Sequence, residues 1–258
     1  MADVDVLTVT AKGEPTLHSG LGTILRHLKE KSRKPVAVLT NGTTLMDEAV
    51  RQDLMAADIV VPSLDAARPE SFNRVDRPAA TVDLQAVVDG LTLFSHVYTG
   101  KIWQEILLVR EMNDTAEDIE ALIIALKPMR LDRIQLNTVV RPPVEATARA
   151  VEPEQLAAVA ARLHAELDLP VDVPSAGQGE PPQRPLDDET TNRFASPSTV
   201  LNEIQEIVRR RPCTAVDIDR IFRLGGSDKV EQLLAPLVQS GILQMQDHGG
   251  ARYYHRAE

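Results

Sequence analysis

The chain reads as an α/β protein: a parallel sheet wound with crossover helices into an open or partial barrel, followed by a small helical domain. Three observations predict this. Apolar strands and helices alternate about every 25 to 30 residues over 1–174, the pattern of repeated βα units. The strands are continuous apolar runs rather than alternating ones, as in a sheet covered on both faces. Five or six units fit that span, too few for a closed eight-stranded barrel of about 250 residues.

The first stretch, 3–17, is DVDVLTVTAKGEPTL. Val4, Val6, Leu7 and Val9 suit a strand. Gly13, with its wide conformational range, and Pro15, with its fixed φ, then break it. The strand is expected to end in a stiff, bent ledge around Glu14. A helix follows over 20–31, where Leu21, Ile24, Leu25 and Leu28 form one apolar stripe. Pro35 opens the strand PVAVLT, and Asn41 and Gly42 turn it. The spacing predicts a short helix over 47–55, with Val50 and Leu54 on one face, and then the strand 57–65, which ends in Ser63, Leu64 and Asp65. A helix over 84–94 places Val87, Val88, Leu91 and Phe94 in register. The strand KIWQEILLVR (101–110) and a helix over 114–127 follow, the helix carrying the acidic first turn that its dipole favours. A strand at 133–139, an Ala-rich helix at 152–167 and a short strand at 171–173 complete the barrel.

The segment 175–197 reads as a linker, rich in Gly and Pro and poor in residues to bury. Domain boundaries are therefore expected at 1–174, 175–197 and 198–258. In the last, Ser198, Thr214 and Ser227 are expected to cap three helices. Gly249 and Gly250 lie between two strand-like runs, a hairpin pattern. Three helices and a hairpin make a winged-helix-like layout, and such domains often bind DNA. This one carries eight basic and eight acidic residues. Without a basic footprint DNA is a poor partner, and packing against the barrel, a partner protein or structured RNA is favoured.

The 258 residues include 43% hydrophobic, 26% charged and only 3% aromatic residues, so Val, Leu, Ile and Ala must build the core. The net charge of −10 argues against a general nucleic-acid binder. The single cysteine, Cys213, excludes an intrachain disulfide and points to a cytoplasmic setting. There is no signal segment and no apolar run long enough for a membrane span. The six histidines show no metal-ligand spacing.

In a parallel α/β sheet, ligands bind at the C-terminal ends of the strands. Here those ends supply Gly13, Glu14 and Pro15; Thr40 and Asn41; Ser63 and Asp65; Glu105 within its strand; and Asn137 followed by Arg141. Hydroxyls, amides and a few acids suit a small molecule that carries ribose hydroxyls and an ammonium group. They suit bare phosphate less, because no glycine-rich loop with a lysine is present. Read one at a time, Asn and Ser at strand ends are helix caps. Four such ends together favour a shared ligand. Trp103 reads as a core residue.

The runs GEPTL, PVAVLTNGTTL, ADIVVPSLDA, RVDRP at 74–78, GKIWQEILLV, Asn113-Asp114 and IQLNTVVRPP give the chain a family likeness. Over about 3–143 it resembles the radical S-adenosylmethionine (SAM) superfamily, and within it the iron–sulfur oxidoreductases related to wybutosine-synthesis proteins. RRPCT at 210–214 is similar to the small C-terminal domain of some members. The resemblance implies a partial (β/α)6 barrel, here lacking its first strand. It implies reductive cleavage of S-adenosylmethionine by a [4Fe–4S] cluster to a 5′-deoxyadenosyl radical. By the same resemblance Gly13, Glu14 and Pro15 hold the methionine amino group, and Ser63 and Asp65 lie near the ribose. Glu105 and Asn137 line the adenosine or methionine side, and Thr40, Asn41 and Arg141 touch cofactor or substrate. The family's CxxxCxxC cluster loop is missing from this sequence. The expectation is therefore a core of a longer radical enzyme, inactive alone. The alternative is a cluster-less module that binds a ligand or partner. A bare first strand also predicts self-association through that edge.

Overall fold

The computed structural model describes residues 5–11, 13–143, 145, 147–173 and 197–256, the side chains of 197–199 and 210 aside. The expected linker 175–197 lies almost wholly outside the described residues. The chain divides into two compact units, Met1–Val139 with Thr147–Ala176, and Val140–Ala146 with Gly177–Glu258.

The first unit is built on six parallel strands: β1 (Leu7–Val9), β2 (Val36–Thr40), β3 (Ile59–Pro62), β4 (Lys101–Leu108), β5 (Arg133–Thr138) and β6 (Val171–Asp172). They lie side by side in chain order, β1-β2-β3-β4-β5-β6. Six helices join them: α1 (Leu21–Lys31), α2 (Glu48–Leu54), α3 (Pro69–Val75), α4 (Leu84–Val97), α5 (Ala116–Leu126) and α6 (Pro153–Leu167). Sequential parallel strands require crossovers of one hand, which puts the helices on one side of the sheet and curls it toward a barrel.

The core follows from that winding. Val36, Val38, Val60, Ile102, Ile106, Leu108, Ile134 and Leu136 face the helices and pack with Leu25, Leu54, Leu91, Phe94, Leu122 and Leu163. The other face holds a smaller apolar group, namely Ala37, Ile59 and Val61 with Val6, Leu39 and Trp103. The expectation of two covered faces is therefore corrected. β3 is buried along its length and β2 at all but Leu39, but β4 after Lys101 and β5 alternate between buried and half-buried residues because their inner side is open. Trp103 stands on that inner side, half-buried, with the Arg133 guanidinium 5.3 Å above its ring.

Two elements were not legible in the sequence, α3 and the two-residue strand β7 (Cys213–Thr214). The first helix of the second unit, α7 (Pro197–Arg210), precedes β7; α8 (Ala215–Phe222), α9 (Ser227–Gln239), β8 (Leu243–His248) and β9 (Ala251–Arg256) follow. The three strands form an antiparallel sheet of order β7-β9-β8. The helices close over Ile204, Val208, Cys213, Ile218, Val230 and Leu234. Thr214 and Asp217 form a reciprocal capping box on α8, as its sequence predicts. The cap of α9 is corrected from Ser227 to Gly226, whose φ of 116° suits only glycine.

Candidate functional site

The C-terminal ends of β1 to β5 gather the residues singled out above. Glu14 lies just before a 3-10 turn, Pro15–Leu17, which Pro15 opens. Both oxygens of its carboxylate are engaged by its own chain. Oε1 accepts from the Thr16 N–H (3.0 Å) and hydroxyl (2.6 Å) and from the Thr40 hydroxyl (2.6 Å). Oε2 accepts from the Asn41 N–H at 2.6 Å. The Thr16 and Thr44 hydroxyls meet at 2.5 Å. Glu14 thus ties the loop after β1 to the end of β2, and its side chain is held by structure before any ligand arrives. Asn41 folds its own loop in the same way, its Oδ1 accepting from the Thr43 N–H and hydroxyl. Gly42 supplies the turn at φ 73°.

At Gly13 a Cβ would meet nothing within 4 Å, so the position is open. Pro15 opens the turn that bends the chain here, and Glu14 caps it.

Glu105 is the centre of a second group. Ser63 bridges to it from the end of β3, its hydroxyl donating to Oε2 at 3.3 Å. Asn137 on β5 donates from Nδ2 to Oε1 at 2.8 Å. One carboxylate therefore links three neighbouring strands, and all three side chains are half-buried. Gln135 is paired with Glu105 in register, so it faces the same inner side, and its amide has no partner among the described residues. Sequence reading missed Gln135. Its signal was available: RIQLNT places Arg133, Gln135 and Asn137 on one face of the strand and Ile134 and Leu136 on the other.

Asp65 lies just beyond β3, where its Oδ1 accepts from the Leu107 N–H at 2.8 Å. Burial raises its carboxyl to about 7, with help from the charges of Asp76 and Glu105, and the Leu107 N–H only partly offsets this. Asn113, fully buried, fixes the segment: its Nδ2 donates to the Asp65 and Leu107 carbonyls, and its Oδ1 accepts from the Val109 N–H.

The inner face is graded along the strands. Toward their N-terminal ends Ala37, Ile59, Val61 and Trp103 form an apolar floor. Toward the C-terminal ends stand Asn41, Ser63, Asp65, Glu105, Gln135 and Asn137. Arg141 belongs to the second unit, which takes in Val140–Ala146. Its charge there acts on Cys213 and Tyr253.

Iron is a separate question. Among the described residues no group of three His, Cys, Asp or Glu side chains is arranged to hold a metal. Cys213 lies in the core of the second unit, where burial pushes its thiol up. The described residues therefore do not fit a cysteine-ligated cluster.

The fold is the partial α/β barrel of radical SAM enzymes. A radical SAM methyltransferase from Sphaerobacter thermophilus superposes with a TM-score of 0.52 at 17% identity, covering 68% of this chain and 52% of its own. Streptococcus suis SuiB bound to S-adenosylmethionine superposes with a TM-score of 0.52 at 14% identity, covering 73% and 44%.

In sequence the chain is similar to a Brachyspira hyodysenteriae protein named GTPase Obg, 29% identical over 98% of this chain and 35% of that one. It is 37% identical to a UPF0026 protein of Helicobacter pylori over 54% of this chain and 45% of the relative. It is 31% identical to a GTP 3′,8-cyclase of Limosilactobacillus fermentum over 40% and 30%. The chain thus spans about a third to a half of the length of the first two curated relatives. No family model matches it.

Proposed function

We propose that the barrel mouth binds S-adenosylmethionine and that this chain is the core of a radical SAM enzyme. Within that group we place it beside the iron–sulfur oxidoreductases related to wybutosine synthesis. The observation that carries the reading is the Ser63–Glu105–Asn137 bridge, with Gln135 beside it. A carboxylate flanked by two amides and a hydroxyl matches the donors and acceptors of ribose. Glu14 positions the ledge and leaves backbone carbonyls, not its carboxylate, to meet an ammonium group. Gly13 leaves room for that approach.

The cofactor, when bound, supplies the adenosyl group. The residues of this chain orient it, and Asp65, poised between charged and neutral near pH 7, holds a proton at the rim. The described residues do not hold the cluster, so no radical step is assigned to them, and the cluster's ligands come from outside them. A cytoplasmic setting fits the reduced state that such chemistry requires. No helix among the described residues is long and apolar enough to cross a membrane. GTP hydrolysis is not favoured, since the sequence has no glycine-rich loop carrying a lysine. The second unit, read as a winged-helix-like domain of 198–258, serves in this proposal to engage a partner rather than DNA.

A second reading, a cluster-less module that binds a ligand or partner, draws on the lack of a metal-holding group among the described residues. Titration calorimetry with S-adenosylmethionine, without iron, tests the binding common to both. Binding is expected, with Glu105→Ala weakening it at least about tenfold, the scale of a lost buried hydrogen-bonding anchor. No binding, or binding indifferent to Glu105, overturns the proposal. Anaerobic iron–sulfur reconstitution separates the two readings. A longer protein containing this chain that gains a cluster and releases deoxyadenosine supports the enzyme, and one that stays colourless supports the module.

A further inference from the structure

We infer that two copies of this chain pair through β8, antiparallel and about a two-fold axis at Met245, joining their three-stranded sheets into one of six strands. Gly249 and Gly250, at φ 56° and 78°, make a two-residue hairpin turn of the type that matches strand twist. His248 and Ala251 close it, and β8 runs against β9 one residue to one residue, without a bulge, as far as Leu243 and Arg256.

Hydrogen-bonded and non-bonded pairs alternate from the turn. Gln244, Gln246 and His248 therefore direct their backbone groups to β9. Leu243, Met245 and Asp247 direct theirs to the outer edge, where no strand lies among the described residues. Natural edge strands are protected by brevity, charged side chains, proline or a bulge. β8 has no lysine, proline or bulge; its one acid, Asp247, pairs with Arg252 of β9 at 3.5 Å, and 242–246 carries no charge. Met245, 49% exposed, and Ile242, 43% exposed, stand along it.

A second β8 is the occupant that fits. About Met245, the pairs 243/247, 245/245 and 247/243 exchange about six backbone hydrogen bonds. Each Asp247 then lies beside the other copy's Leu243, whose β9 neighbour is Arg256, so acids meet a basic edge rather than each other. β1 is the edge that the sequence suggests for self-association. It is three residues long and directs the backbone groups of Thr8 alone outward, because the Leu7 N–H bonds to the Pro35 carbonyl of the next strand.

Proline at 245 removes an outward N–H while sparing the ladder to β9. Sedimentation of the whole chain over a concentration series is expected to show a monomer–dimer equilibrium. Met245→Pro, or Met245→Lys with two like charges facing across the axis, is expected to raise its dissociation constant at least about tenfold. Thr8→Pro should leave it unchanged. The Lys variant decides if the Pro variant unfolds. A wild-type chain that is monomeric throughout, or a dimer that survives Met245→Lys and is lost in Thr8→Pro, overturns the inference.

Discussion

Both oxygens of the Glu14 carboxylate are taken by Thr16, Thr40 and Asn41, while a Cβ added at Gly13 next to it would meet nothing within 4 Å. The two residues therefore answer different tests. Gly13→Ala should leave thermal stability within about 0.5 kcal/mol, as for an unconstrained surface site. If the ledge meets a ligand, the same change weakens S-adenosylmethionine binding in calorimetry. Glu14→Ala should instead lower Tm, because it leaves the Thr40 hydroxyl and the Asn41 N–H without their acceptor; about 1–3 kcal/mol is expected. Asp65 gives a pH signature. Its carboxyl sits above the value it has in the unfolded chain, so the folded state holds the proton more tightly. The cost of ionising it is absent below about pH 4 and grows as pH rises toward about 7. Asp65→Asn keeps an acceptor for the Leu107 N–H and removes that cost. At pH 8 it should raise Tm by roughly 2–4 °C, equivalent to about 1 kcal/mol, and at pH 4 it should change little. Calorimetric melts at the two values check it.

At the scale of elements, apolar periodicity carried most of what was legible. The stripes at Leu21, Leu25 and Leu28 and at Val87, Leu91 and Phe94 predicted α1 and α4, because a buried face leaves a period of 3.6. The strands were equally plain, since β2 and β3 are buried on both sides by neighbours and curvature. α3 escaped because 69–75, PESFNRV, buries only Ser71 and Phe72. A side-chain network holds it instead. Asp118, at the start of α5, accepts from the Ser71 hydroxyl at 2.5 Å, from Thr115 and from Arg68. Burial alone would raise that carboxyl, but the hydroxyls of Ser71 and Thr115, the Thr115 N–H and the Arg68 charge outweigh it and leave it lowered. It therefore stabilises the fold above its unfolded value and less as pH falls through its folded one. Asp118→Ala should cost about 2–4 kcal/mol at neutral pH by freeing both α3 and the α5 cap, and urea titration would measure it. The site was half legible. Polar strand ends are visible in sequence, but whether a given side chain faces a ligand or its own loop depends on distances of a few ångströms that no pattern encodes. That is why Glu14 and Asn41 prove to be held internally. Gln135 is the opposite case, since the alternation of RIQLNT already put it on the face of Asn137.

At the scale of the whole molecule, the two units have separate cores, one around Ile102 and Leu136 and the other around Ile204 and Leu234. A domain with its own core can fold alone. A fragment of 197–256 should melt cooperatively, and circular dichroism against temperature would show it. The Tyr253 hydroxyl donates to the Val140 carbonyl at 2.8 Å, so adding a peptide of 140–146 should raise that melting point. The reach of the sequence was shortest here, since nothing in its composition shows that part of the loop after β5 leaves the barrel's unit.

Strand order equal to chain order has a consequence in time. Each strand of the first unit leans only on the one made just before it and the one made just after. A chain emerging from the ribosome can lay down β1 and then add one finished βα layer at a time, never waiting for a distant partner. The same arrangement means that the sheet comes apart from its margins. Amide exchange should be slowest in β3 and β4, each flanked on both sides, and quicken outward toward β1 and β6.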